Sequence, residues 1–173
     1  MGAMTFIPFI LIAPLLTNQQ HGEAPSATLF KMMGQLAFMK GDWVGTQSFN
    51  MQGQKLDIPA TNSVKDAIGG RYFEETLTTT MPGQPTRDVR HFLSYDQADG
   101  KYKSYWFNDT QTGPMELDGS VSGNELTLES PPEAKNHFKA IYKSDSGDSL
   151  SFELWLKQGS DWNRLFTATY KRR

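Results

Sequence analysis

The chain contains no cysteine, which excludes disulfides, thiolate zinc sites, cysteine-ligated iron–sulfur clusters and cysteine nucleophiles together. Histidine is scarce as well, and three residues leave little for a histidine-based metal site. Neither charge dominates. Seventeen Lys and Arg stand against nineteen Asp and Glu, a formal net charge of -2, so nothing draws in a phosphate backbone and no nucleic-acid partner is expected. Long apolar runs are also missing, apart from residues 6–16 (FIPFILIAPLL). That run is well short of the roughly 20 residues a spanning helix needs, and Pro8 and Pro14 interrupt it. No integral membrane anchor is expected. A Walker A loop, a Gly-x-Gly-x-x-Gly fingerprint and a His-Glu-x-x-His pair are all absent, so the familiar phosphate, dinucleotide and zinc-protease signatures do not apply.

The apolar run is set apart from everything after it, since no Lys or Arg precedes Lys31. Its length suits a secretory h-region, with Gly22-Glu23-Ala24 as a small-x-small cleavage site, although the usual cationic start is missing and Pro25 follows directly. On that reading residues 1–24 form a signal peptide, and the protein is exported to a periplasm or secreted. On the other, the run packs on the domain and the protein is cytoplasmic. Residues 25–173 form a single domain on either reading.

What the chain does have is core material: 38% hydrophobic and 12% aromatic residues over 173 positions suffice for one globular domain. Leu29, Met32, Met33, Leu36 and Met39 recur at spacings of three and four, which predicts a short helix near 28–40, capped by Ser26 or Thr28 and stopped by Gly41. After Gly41 no helical period is sustained. Short β-rich runs follow at 43–51, 60–68, 72–80, 88–95, 102–108, 113–119, 125–130, 137–144, 149–157 and 163–171. The links between several of them (Asp99-Gly100, Ser122-Gly123-Asn124, Ser146-Gly147-Asp148, Gly159-Ser160-Asp161) carry hairpin chemistry. Sequential antiparallel strands follow from such short connections. A meander of about ten strands has exposed edges unless it closes, and the expected fold is therefore all-β: an up-and-down antiparallel barrel with a short N-terminal helix.

At this point the residues resemble a known superfamily. Gly41-Asp42-Trp43 opens the first strand, and Lys171 and Arg172 close the last. This is the pattern of the calycin superfamily, the lipocalin-like barrels, in which a closing basic residue packs over the tryptophan of Gly-x-Trp. Within it the chain is most similar to a bacterial family known only as a domain of unknown function. The likeness rests on Gly41-Asp42-Trp43-Val44-Gly45, Ile68-Gly69-Gly70-Arg71-Tyr72, Ser94-Tyr95-Asp96 with Lys101-Tyr102, Trp106 with Asn108-Asp109, and Thr169-Tyr170-Lys171-Arg172. It implies a barrel and no activity. Nitrobindin-like calycins hold haem through a histidine, so the resemblance also raises His91 and His137 as haem ligands. The chain departs from that branch after Trp43 and has no histidine in its last strand, and no cofactor is expected.

Candidate chemistry is sparse. Gly119-Ser120-Val121-Ser122-Gly123 imitates a nucleophile elbow but has Val121 at the serine position. Glu74 and Glu75 are consecutive in a strand and point to opposite faces, so one of them turns inward and needs a partner, with Arg71, Arg87 and Arg90 as candidates. The leading functional expectation is a barrel that binds a small apolar or amphipathic molecule in a pocket at the end near the helix. Its expected wall is Tyr72, Phe92, Tyr105, Phe107, Phe138, Tyr142 and Phe152, with Tyr105 and Phe107 chosen over Trp106 as lumen residues. The alternatives are a filled barrel acting as a structural or interaction module, and an enzyme acting in the pocket. Ligand identity and oligomeric state stay open.

Overall fold

A computed structural model of the chain describes residues 26–51, 54–109 and 112–173. The apolar run at 6–16 and the proposed cleavage site at 22–24 lie outside them. Helix α1 spans Ala27–Gly34, capped by the Ser26 hydroxyl, which accepts from Leu29 N at 3.1 Å, and a 3-10 turn follows at Ala37–Met39. Ten strands then run in order: β1 Gly41–Met51, β2 Gln54–Ala67, β3 Tyr72–Thr79, β4 Arg87–Asp96, β5 Lys101–Phe107, β6 Met115–Ser122, β7 Glu125–Glu129, β8 Phe138–Lys143, β9 Ser149–Gln158 and β10 Asp161–Arg172. Each pairs antiparallel with its sequence neighbours, and β1 pairs with β10 to close the barrel.

The largest departure from the sequence pattern is β2, which begins at Gln54 rather than near residue 60. Pro59 suggests a break, because proline cannot donate to a ladder. The strand continues through it because pairing with β3 starts only at Ala60, so residues 54–59 have an unpaired edge on that side.

One end of the barrel is plugged. Leu29, Met33, Leu36 and Met39 of the helical segment are buried, and Trp43 and Tyr102 bond upward to its backbone. Trp43 Nε1 donates to Met39 O at 2.9 Å and the Tyr102 hydroxyl to Met32 O at 2.8 Å. Burial pushes the Tyr102 hydroxyl up to about 12, so it remains a donor. The Arg172 guanidinium lies 4.2 Å from the Trp43 ring centre, and its Nη1 donates to Lys40 O at 2.8 Å. This arrangement explains the Gly-x-Trp signature physically. Gly41 has φ +132°, and a Cβ there would sit 2.3 Å from Arg172 Nη1. Gly45, two residues beyond the tryptophan, lets β1 approach β10 so closely that a Cβ would fall 1.9 Å from Thr169 O.

Candidate functional site

With the helix closing one end, the other end is the mouth, formed by the end of β1, the start of β2 and the start of β10. β1 and β10 stay paired as far as Phe49 and Phe166 and then part, although each strand continues with its other neighbour. A β-bulge in the β9–β10 pairing between Arg164 and Phe166, with Leu165 as the extra residue, lies just beyond the last β1–β10 pair. The result is a cleft of about 270 Å³ lined by Phe49, Leu165 and Phe166, by Ser48, Asn50 and Thr167, and by the cations Lys55 and Arg164. The Phe49 and Phe166 rings lie 5.0 Å apart, and Phe166 continues inward onto Phe152 at 5.5 Å. Lys55 pairs with Asp57 at 2.9 Å and Arg164 with Glu153 at 3.2 Å, all partly or largely exposed.

Below the mouth the interior is filled, and its centre is polar. Glu75 is the inward member of the Glu74–Glu75 pair, 4% exposed. Its Oε1 accepts from Asn62 Nδ2 at 2.5 Å, its Oε2 accepts from the Tyr142 hydroxyl at 2.6 Å, and His91 Nδ1 faces the same oxygen at 2.6 Å. Of the three arginines considered from the sequence, Arg87 pairs with Asp109 at 3.7 Å. Arg90 pairs with the outward Glu74 at 2.6 Å. The chain of contacts runs on from His91 Nε2, 2.8 Å from Ser104 Oγ, which also accepts from Trp106 Nε1 at 2.7 Å. The cross-strand pairs Glu75–His91 and His91–Trp106 place these side chains side by side on one face.

Trp106 Nε1 can only donate, so Ser104 Oγ accepts from it, which leaves one lone pair and one hydrogen for the contact with His91 Nε2. The Asn62 amide and the Tyr142 hydroxyl both donate to the Glu75 carboxylate. Burial, with the Glu75 charge beside it, pushes the Tyr142 hydroxyl well above the ordinary tyrosine range, so it stays protonated. Burial also raises the Tyr170 hydroxyl, with the Gln47 side chain pulling the other way and the Glu75 charge adding a smaller upward push. Two buried amide atoms at the edge of this cluster, Gln47 Nε2 and Asn62 Oδ1, have no hydrogen-bond partner.

The seven aromatic positions expected to share a wall divide between two faces. Tyr142 and Phe152 lie in the interior, 4.6 Å apart, and Phe138 is half-buried against the core. Tyr72, Phe92, Tyr105 and Phe107 are on the outside. Phe107 is 44% exposed and packs edge-on against Phe92 at 6.1 Å, while Tyr72 and Tyr105 line a shallow outer depression with Lys103 and Asp96. The choice of Tyr105 and Phe107 over Trp106 is thereby corrected: β5 turns Tyr102, Ser104 and Trp106 inward. Apolarity alone misleads here, because the inward face carries a serine that the buried network needs. At the end near the helix the barrel interior is occupied by Leu29, Met33, Leu36 and Met39, and a depression of about 370 Å³ lies beside the helix, lined by Phe30, Lys40, Asp66 and Phe73 among others.

His91 does not fit an axial haem ligand. Both ring nitrogens are engaged, and Trp106 stacks on the ring at 4.6 Å. His137 sits in the segment before β8, where its carbonyl accepts from Lys157 N. Among the described residues no group of three or more His, Asp or Glu is placed to hold a metal, and no helix is long and apolar enough to cross a membrane.

Residues 31–172 match the family described as "Protein of unknown function (DUF1579)", and the chain belongs to that family. No curated protein matches the sequence. Among solved structures, the barrel is similar to an S-type phycobiliprotein lyase, CpeS, from Guillardia theta, at 10% identity and TM-score 0.53, covering 86% of this chain and 98% of that one. That likeness is one of fold, a lipocalin-like barrel. A protein of unknown function from the DUF3598 family of Nostoc punctiforme matches over 82% of this chain and 99% of that one, at 9% identity, but superposes poorly at TM-score 0.26.

Proposed function

We propose that this DUF1579 barrel binds a small amphipathic molecule at its open mouth, apolar part on Phe49, Leu165 and Phe166, polar head toward Lys55 and Arg164. The carrying observation is the parting of β1 from β10, which leaves a cleft with an apolar floor and a cationic rim at the unplugged end. Ligand sites combine concavity, apolar lining and a few polar groups that fix orientation, and β-barrel mouths are a common place for them. The outer depression at Tyr72 and Tyr105 is less suited. Its Ser94 hydroxyl already donates to Arg71 O, Asp96 caps its own turn, and Lys103 is half-buried between two carboxylates, Asp99 and Asp118, whereas Lys55 and Arg164 each pair with one and stay largely exposed. The filled interior favours a second reading, a barrel that serves only as an interaction module.

Titration with a fluorescent fatty acid separates the two. The parent protein binds the probe, and Phe166→Asp weakens it by about tenfold or more, since a carboxylate then faces an apolar floor and an anionic head. Phe107→Asp, on the outer face, leaves affinity unchanged. Absence of binding by the parent protein, or equal losses from both substitutions, supports the interaction-module reading instead.

A further inference from the structure

From the geometry of the buried cluster we infer that Ser104 is a nucleophile toward acyl-type electrophiles arriving from the mouth, with His91 as its general base, Glu75 positioning the imidazole, and Trp106 covering the hydroxyl.

The distances are those of a working relay. Ser104 Oγ lies 2.8 Å from His91 Nε2, and His91 Nδ1 lies 2.6 Å from Glu75 Oε2. Hydroxyl, imidazole and carboxylate in that order make up the nucleophile, base and orienting group of acyl-transfer enzymes on several unrelated folds, recognised by roles rather than by sequence position. The relay uses the tautomer with its hydrogen on Nδ1, facing Glu75, which leaves the Nε2 lone pair to take the serine proton. Glu75 is itself fixed, by Asn62 at 2.5 Å and Tyr142 at 2.6 Å, so the imidazole cannot rotate away without breaking a buried network. A core needing only to satisfy a serine would not need an ionisable pair behind it. The unpartnered Asn62 Oδ1, on a residue that holds Glu75, is a second sign that the network is poised for something besides packing.

In the reaction, Ser104 Oγ bonds to the acyl carbon while its proton passes to His91 Nε2. The bond to the leaving alcohol then breaks, and the alcohol departs with that proton. Water attacks the acyl-serine in the second half, its proton passing through His91 back to Ser104. The products are a carboxylic acid and an alcohol, and water is the only co-reactant. Access is the controlling feature: Ser104 is 1% exposed, and Trp106, two residues nearer the mouth on the same strand face, donates to its oxygen. The indole must swing off before an acyl group can reach the hydroxyl.

This inference rests on the proposed mouth as the way in, and its test is independent of what binds there. The full chain is incubated with a small alkyl fluorophosphonate, which transfers phosphorus to an activated serine with loss of fluoride, and adducts are located by peptide mass spectrometry. One adduct is expected, on the 101–107 strand at Ser104, absent in Ser104→Ala and formed several-fold faster in Trp106→Ala. His91→Gln slows it by about 100-fold or more. Glu75→Gln slows it while leaving fatty-acid affinity at the mouth unchanged, a separation that a general loss of structure would not give. Absence of a Ser104 adduct in both the parent and a folded Trp106→Ala overturns the inference, as does labelling at an equal rate in folded His91→Gln. If fatty-acid binding persists while labelling fails, the relay alone is rejected.

Discussion

Glu75→Ala is expected to lower unfolding stability by about 3–5 kcal/mol, the usual cost of removing one partner from a buried charged network. The carboxylate is 4% exposed and serves three neighbours at once. With the side chain truncated, Asn62 Nδ2, His91 Nδ1 and the Tyr142 hydroxyl each lose their acceptor in the middle of the barrel, and no solvent replaces it. An unsatisfied buried donor costs about 1–3 kcal/mol, so the three together reach the stated range even with partial relaxation. Tyr142→Phe removes a single donor and should cost much less. Urea denaturation followed by tryptophan fluorescence reads both, as a shift in midpoint at constant slope. A near-neutral Glu75→Ala would mean that the desolvation of the carboxylate cancels what its partners return, and that the cluster does not order the core.

Trp43→Ala is the second large effect, also expected at about 3–5 kcal/mol, the range for deleting a large buried aromatic. The ring is 1% exposed and lies between the helical plug and Arg172. Its loss leaves a cavity at the closed end, frees Met39 O from its indole donor and removes the surface on which the guanidinium rests. Trp43→Phe keeps much of the volume and gives up the Nε1 donor, so its cost should be close to that of one hydrogen bond, about 1 kcal/mol. The same denaturation experiment compares them. Equal costs for both would place the importance of Trp43 in the indole hydrogen bond rather than in filling the plugged end.

The start of the barrel and the cover on its tryptophan were legible in the sequence, whereas the plugging of that end by the helix was not, since a pocket was expected there. Gly41, Trp43 and a closing basic residue mark where the barrel begins and what packs on the tryptophan, and the positive φ of Gly41 and the 4.2 Å approach of Arg172 to the ring give that pattern its physical content. On β4 the two faces differ in polarity, Val89, His91 and Leu93 against Asp88 and Arg90, and the sequence alone separates them. Val89, His91 and Leu93 share one face of β4, and that face is inside. What failed was the parity of β5. Tyr102, Ser104 and Trp106 compete with Lys103, Tyr105 and Phe107 on nearly equal terms for hydrophobicity, and only the register against His91 decides between them. Register was also the missing information for Glu75. His91 was visible on an apolar face and Glu75 was visible as one of two candidates for the interior, yet nothing in one dimension says that they stand opposite each other across β3 and β4. The mouth cleft depends on where β1 and β10 stop pairing, 117 positions apart at Phe49 and Phe166, and a local pattern carries no trace of that.

The proposed site for a small amphipathic molecule is the unplugged end, at the seam between β1 and β10. Hydrogen–deuterium exchange with and without saturating dodecanoate tests it most directly. Slowed exchange is expected, confined to residues 47–51 and 161–168, with the helical plug at 27–39 and the outer strand faces around Tyr72 and Tyr105 unchanged. Protection centred on the plug or on that outer face, with the seam unaffected, would contradict it.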